Sequence, residues 1–502
     1  MPVLIVRKLL NMCHTVSMQE LHTPQKVARS SVTYTAALVY QKILSFTYFS
    51  IVARMLGPER LGTYIFALSF AAFFSLVVDF GFVPMVIRTF AQKAEDQVRS
   101  FRIFFGIRLV AAVIGVTLLF GTGLLLQYDR TLMTLIAITA VIMVMDAFTA
   151  FFYALFRSRQ NLFYESIGTV IFQTIIFGAG IFTVYRTNDL RALLAVILLG
   201  SVWHIVYTSI LLKRKSGFES LKPIFNIRAS RLWLHRALPF FMTAGFIKAY
   251  NTIDTILIKN ISGNEAVGLY AIPAKVVFTF PFVALAITAA VYPAMSSYAV
   301  HSKERLQRTF TRTLEILLAI SMPIAVGIFL LADQIVIRIW PEFSGSVLGL
   351  QILIWAVIFL YIEYPFGSLL NATGRERQNT INRGIQLLVF VLLNVFLIPR
   401  FGFLGAVYAA LGSSILIVLL GWFRARVIVQ IFNERMVISL IKLILASGIM
   451  GVCIMWLRID YSFLVTIPSA AVVYGALLFA FRFYTAEDAR WARQLFKKGH
   501  TS

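Results

Sequence analysis

The chain has 502 residues, of which 59% are hydrophobic and only 14% charged. That balance excludes a string of ordinary soluble domains, in which about a quarter of residues carry charge. The formal net charge of +24 would suggest nucleic acid in a soluble protein. Here the cations lie in short loops between apolar runs, so a membrane takes precedence and no nucleic-acid partner is expected.

Residues 1–30 read as a cytoplasmic lead-in. MPVLIVRKLLNM is followed by no small-residue cleavage site, and Met18 is a second candidate start. From Ser31 onward apolar stretches of about 20 residues, the length that crosses a bilayer core, recur about fourteen times. They fall near 31–54, 62–87, 103–127, 131–155, 163–185, 191–212, 236–258, 267–297, 310–331, 345–370, 381–398, 402–423, 437–457 and 461–482. The eighth is long and interrupted by Pro273, Pro281 and Pro293. The fold class is an all-α integral membrane protein. It divides into a six-helix bundle over 31–212, a cytoplasmic linker over 213–235 and a second six-helix bundle over 236–430. Two additional helices over 431–484 and a basic cytoplasmic tail over 485–502 complete it.

The loops alternate in charge. Arg157/Arg159, Lys213/Arg214/Lys215, Lys303/Arg305/Arg308 and Arg375/Arg377 fall on one side, against scattered cations such as Arg130, Arg186 and Arg400 on the other. About 32 Lys and Arg against about 9 places both termini in the cytoplasm by the positive-inside rule. The expected location is the inner or plasma membrane.

Two stretches carry the internal repeat. KILSFTYFSIVARMLGPERLGTYIFAL from Lys42 aligns without gaps with KAYNTIDTILIKNISGNEAVGLYAIPA from Lys248. Lys42 then falls on Lys248, Gly57 on Gly263, Glu59 on Glu265, Gly62 on Gly268 and Tyr64 on Tyr270. Each stretch reads as two apolar helices joined by a glycine-bearing turn, with a lysine near mid-helix, and Gly57, Gly62, Gly263 and Gly268 mark the turns. Parallel halves of this kind are a transporter architecture with the substrate site at their interface.

No H-E-x-x-H, P-loop or paired C-x-x-C occurs, so neither catalysis nor a metal site is expected, and no cofactor. The informative residues are ionisable groups within spans, each costly unless it faces a wet or polar interior. Lys42 and Lys248 lead. Lys248 is followed by Asn251, Thr252 and Thr255, spaced to share one helical face, and Lys42 by Ser45 one turn on. Two readings stand: these lysines line a cavity, or they pair with internal carboxylates such as Asp79 or Asp254. Lys275 either lines the same cavity or snorkels outward. Arg88, Arg108 and Lys442 read as snorkelling from span ends. Asp79, Asp254 and Glu363 are structural acids or sites of H+ or Na+ coupling.

Several segments resemble the polysaccharide biosynthesis and export family, which includes the O-antigen flippases of the multidrug/oligosaccharidyl-lipid/polysaccharide exporter superfamily. They are ARMLGPERLGTY, DFGFVPMVIRTFA, VYPAMSSY, LLNATGRERQNTINRG and IPRFGFLGAVYAALGS. The resemblance covers nearly the whole chain. It implies two six-helix bundles around a cationic cavity, with Lys42, Lys248 and Lys275 binding a phosphate. It further implies a lipid-linked oligosaccharide as substrate, alternating access in a monomer, and polysaccharide polymerase and glycosyltransferases as partners. The competing readings are a cation-coupled multidrug exporter, in which the carboxylates would matter more than the lysines, and a peptidoglycan-precursor flippase. A membrane glycosyltransferase is disfavoured by short external loops, and a scaffold does not explain the paired lysines.

Overall fold

The computed structural model describes residues 24–91, 97–187, 189–215, 222–431 and 434–483, and among them it is helical without strands. This is what a lipid environment demands, since only a helix or a closed barrel satisfies every backbone polar group within hydrocarbon. The first bundle holds α1 (Pro24–Asp79), α2 (Phe82–Ala91), α3 (Gln97–Leu125), α4 (Arg130–Ser158), α5 (Phe163–Arg186) and α6 (Leu190–Lys215). The second holds α7 (Ile227–Tyr250), α8 (Ile253–Val277), α9 (Pro281–His301), α10 (Lys303–Ile339), α11 (Ser346–Leu353), α12 (Ala356–Ala372), α13 (Glu376–Phe401) and α14 (Phe403–Ala425). The additional pair is α15 (Glu434–Asp460) and α16 (Phe463–Ala480).

Twelve helical stretches among the described residues are long and apolar enough to cross a bilayer. Two of them, Thr33–Ala91 with 59 residues and Ile227–His301 with 75, are far longer than the roughly 20 residues one crossing needs. They reverse at Gly57 (φ 71°) and Gly263 (φ 88°), a backbone region open to glycine and costly for other residues. Each long stretch therefore supplies two crossings, which brings the total to about fourteen.

The ends of the expected segments shift. The helix begins at Pro24, so residues 24–30 belong to α1 rather than to the lead-in, while 1–23 lie outside the described residues. The expected linker over 213–235 is partly helical, because α6 continues to Lys215 and α7 starts at Ile227. Asn226 explains that start, its side chain accepting the Ala229 N–H at 3.0 Å as an N-cap. Residues 222–226 are tied to α3, the Ile224 N–H donating to the Arg102 carbonyl at 3.0 Å. The tail over 485–502 lies outside the described residues. Of the three prolines in the eighth span, only Pro281 marks a break, opening α9 after the turn at 278–280, whereas Pro273 and Pro293 stay inside helices.

The two bundles meet chiefly through α1 and α8. Tyr48, Val52, Leu61 and Tyr64 of α1 share one buried cluster with Val267, Tyr270 and Ile272 of α8. Between membrane helices such contact is driven by close packing, which small residues permit. The permitting residues are Gly62 and Gly268. A methyl group on Gly62 would overlap the Asn264 carbonyl, and one on Gly268 would overlap the Pro58 carbonyl. α15 and α16 dock on α10, where the Tyr474 hydroxyl donates to the Ala319 carbonyl at 3.0 Å.

Candidate functional site

The two hairpins place their polar residues along the seam between the bundles. In the first, the Tyr48 and Tyr64 hydroxyls lie 3.3 Å apart. In the second, the Tyr270 hydroxyl donates to Asp254 at 2.7 Å. Asp254 occupies the repeat position of Tyr48, so one buried bridge between the arms of each hairpin recurs with different chemistry. The Thr255 N–H also donates to Asp254 at 2.7 Å. Asp254 is fully engaged in a buried network.

The lysines separate into two environments. Lys275 of α8 donates to the Ser45 hydroxyl of α1 at 3.2 Å, with its ammonium 5.1 Å from the centre of the Phe49 ring. Lys42 is exposed one helical turn before Ser45 on α1. Lys275 and Ser45 thus come together from opposite bundles, with Lys42 one turn away along α1. No carboxylate among the described residues forms an ion pair with Lys42 or Lys275.

Lys248 is elsewhere. Its ammonium donates to Asp79 at 2.8 Å, and the other oxygen of Asp79 accepts from Arg108 at 2.5 Å. Of the two readings open for Lys248, carboxylate pairing is the one found here. Arg108 corrects an expectation outright. It does not snorkel but is fully buried beneath Asp79, with a second hydrogen bond to the Ala147 carbonyl at 2.6 Å. The ion pair holds it in the bundle, since a buried guanidinium stripped of its counterion is severely penalised. Asp146, exposed on α4, accepts from the Ser201 hydroxyl at 2.7 Å.

The polar stripe expected after Lys248 is not one helical face. The helix breaks at Asn251 and Thr252, and Thr252 has φ −134° and ψ −25°. The Thr252 hydroxyl donates back to the Lys248 carbonyl at 2.9 Å, a local bond that competes with helix continuation. Asn251 is exposed, whereas Thr252 and Thr255 are buried. Glu363 is likewise engaged, gripped by Arg383 of α13.

The seam is closed at the Gly57 end. Besides the glycine crossing, the Tyr128 hydroxyl before α4 donates to the Asn260 side chain of α8 at 2.9 Å. After α10, the fully buried Trp340 sets its ring against Phe46 of α1 at 6.3 Å, and the Glu342 carboxylate lies over Gly57.

The two flanks differ below this closure. On one, the Phe80 and Phe241 rings stack at 4.4 Å, and Gly81 admits the α7 backbone. On the other, α1 makes no comparably extensive contact with α9 among the described residues. Leu38, Val39 and Ile43 of α1 and Phe282, Leu285 and Tyr292 of α9 are exposed. Lys42 directly precedes the exposed Ile43 on α1, and Lys275 lies six residues before Pro281, where α9 begins. Among the described residues no group of three or more His, Cys, Asp or Glu is placed to hold a metal.

Comparison with known proteins follows the same lines. A family profile described as polysaccharide biosynthesis protein matches residues 27–299. The protein assigned as an O-antigen transporter of Shigella flexneri is 21% identical over 393 residues, covering 73% of this chain and 89% of that one. The protein assigned as flippase AglR of Haloferax volcanii is 26% identical over 172 residues, 34% of this chain and 36% of that one. Among solved structures, the lipid II flippase MurJ in an inward closed conformation superposes with a TM-score of 0.74 at 16% identity, covering 90% of this chain and 98% of that one. An outward-facing multidrug transporter of the MATE family superposes with a TM-score of 0.56 at 14% identity, covering 82% and 98%. At such identities the likeness is one of fold.

Proposed function

Because the chain belongs to the polysaccharide biosynthesis protein family, we propose that it is a flippase. It carries a saccharide linked to a polyprenyl phosphate or pyrophosphate from the cytoplasmic to the outer leaflet, for cell-surface polysaccharide synthesis. The observation that carries this reading is the contact of Lys275 with Ser45 and Phe49 across the two bundles, one helical turn from Lys42. Two ammonium groups and a hydroxyl supply charge-assisted donors for a phosphate. A binder of cationic drugs would need the opposite sign. The unsealed flank between α1 and α9 lets the apolar tail stay in lipid while the polar head enters the seam.

The positive-inside distribution orients the Gly57 end toward the outside. The closed end is then the outer one, and the cargo enters from the cytoplasmic side. Transport by alternating access requires that closure to part while the opposite end shuts. The test is transport itself: purified protein in proteoliposomes, loaded with a polyprenyl-linked saccharide and probed with a lectin that reads only the outer leaflet. Protein-dependent lectin exposure supports the reading, and exposure no faster than in empty liposomes contradicts it.

A further inference from the structure

The three-charge cluster on the sealed flank has an order built into it. Arg108 is completely buried and fastened to the Ala147 carbonyl, so it cannot leave Asp79 without losing its counterion. Lys248 and Asp79 are each about one-third exposed, at 35% and 30% of their side chains. Arg108 and Asp79 are neutral as a pair and belong to one bundle. Lys248 is the detachable third charge and belongs to the other. If it withdraws, no bare charge is left in the first bundle, but Lys248 itself needs another anion. It stands one turn before the helix break at Asn251 and Thr252, where its own carbonyl is already engaged by the Thr252 hydroxyl.

We propose that Asp79 is a positioning residue that competes with the anionic group of the cargo for Lys248, so that binding of a phosphate releases the ion pair tying α1 to α7. This rests on the proposed function in one respect, that the cargo carries a phosphate. Lys42 and Lys275 are the cations that first meet it, and Lys248 is the cation it has to win. Winning it frees the sealed flank of the Lys248–Asp79 ion pair, leaving the Phe80–Phe241 stack and the Gly81 contact to part. Cargo binding is thereby coupled to movement of one bundle against the other, because the ligand interacts differently with the tied and untied states.

The experiment measures binding of polyprenyl phosphate to the full chain in nanodiscs, together with the distance between spin labels on α1 and α7. Asp79→Asn removes the competitor, so the lipid phosphate is expected to bind about tenfold more tightly. Adding Lys248→Gln is expected to abolish that gain. A purely structural Asp79 would give equal or weaker binding, and that result overturns the proposal. Should Asp79→Asn fail to insert, Lys248→Gln alone decides, since it leaves the Asp79–Arg108 pair intact. Its inter-bundle distance without ligand should match that of the wild type with ligand, and a distance equal to the unliganded wild type overturns the proposal. The underlying reading is tested separately by Lys42→Gln with Lys275→Gln: wild-type binding in that double variant would sink the phosphate site while leaving the Asp79 result to stand or fall by itself.

Discussion

Gly62 and Gly268 occupy equivalent positions of the internal repeat, and each leaves room for a carbonyl of the opposite hairpin: Asn264 for the first, Pro58 for the second. Pro58 and Asn264 are themselves repeat equivalents. The contact is therefore reciprocal, made twice about a pseudo-two-fold axis. A side chain on either glycine forces the same two backbones apart.

Gly62→Ala and Gly268→Ala are accordingly expected to act alike. Overpacking at close contacts costs about 1–3 kcal/mol, and here it falls on the state with the Gly57 end closed. Spin labels across that end should report a shift toward wider separation in both variants. A shift in one variant alone would contradict the reciprocity.

Removing charge beneath Asp79 is expected to be expensive. Arg108→Met leaves Asp79 with Lys248 as its remaining partner and empties a buried site, for which breaking a buried pair costs about 3–5 kcal/mol. Adding Asp79→Asn should recover part of the loss, because the carboxylate, left with only one of its two cations, is then neutral. Thermal unfolding in detergent checks both, and a double variant no more stable than the single one would show that the charge was not the cause.

The two hairpin bridges should differ in strength. Tyr270→Phe withdraws a donor from buried Asp254, at about 1–3 kcal/mol for an under-satisfied polar group. Tyr48→Phe leaves a neutral Tyr64 hydroxyl and should cost about 1 kcal/mol or less. Equal losses in thermal stability would mean that Asp254 is not the sensitive group.

Much of this arrangement was legible in the residues. The glycine turns, the repeat register and the place of Ser45 one turn after Lys42 all follow from short-range pattern. The environment of Arg108 was not, because its partner lies 29 residues away on another helix and depth along a span says nothing about which neighbour packs there. The Lys248 stripe misled for a different reason. Asn251 and Thr252 suit a helical face and a helix end equally, and only the backbone at Thr252 decides between them.

The flanks also make distinct predictions. A photo-crosslinking residue at Ile43, on the unsealed side, should capture the polyprenyl tail of the cargo. The same residue at Phe240, beside the Phe80–Phe241 stack, should not. Equal capture at both positions would remove the distinction between the flanks.

The most direct test of the central claim is transport of a polyprenyl-linked saccharide by Lys42→Ala and Lys275→Ala in proteoliposomes, with insertion verified for each. If the two lysines form the phosphate site, both variants insert normally and lose transport by about tenfold or more, as expected when a charge-assisted contact worth about 1.5–3 kcal/mol is removed, and Lys→Arg restores part of it. Transport at the wild-type rate in both variants would contradict the account.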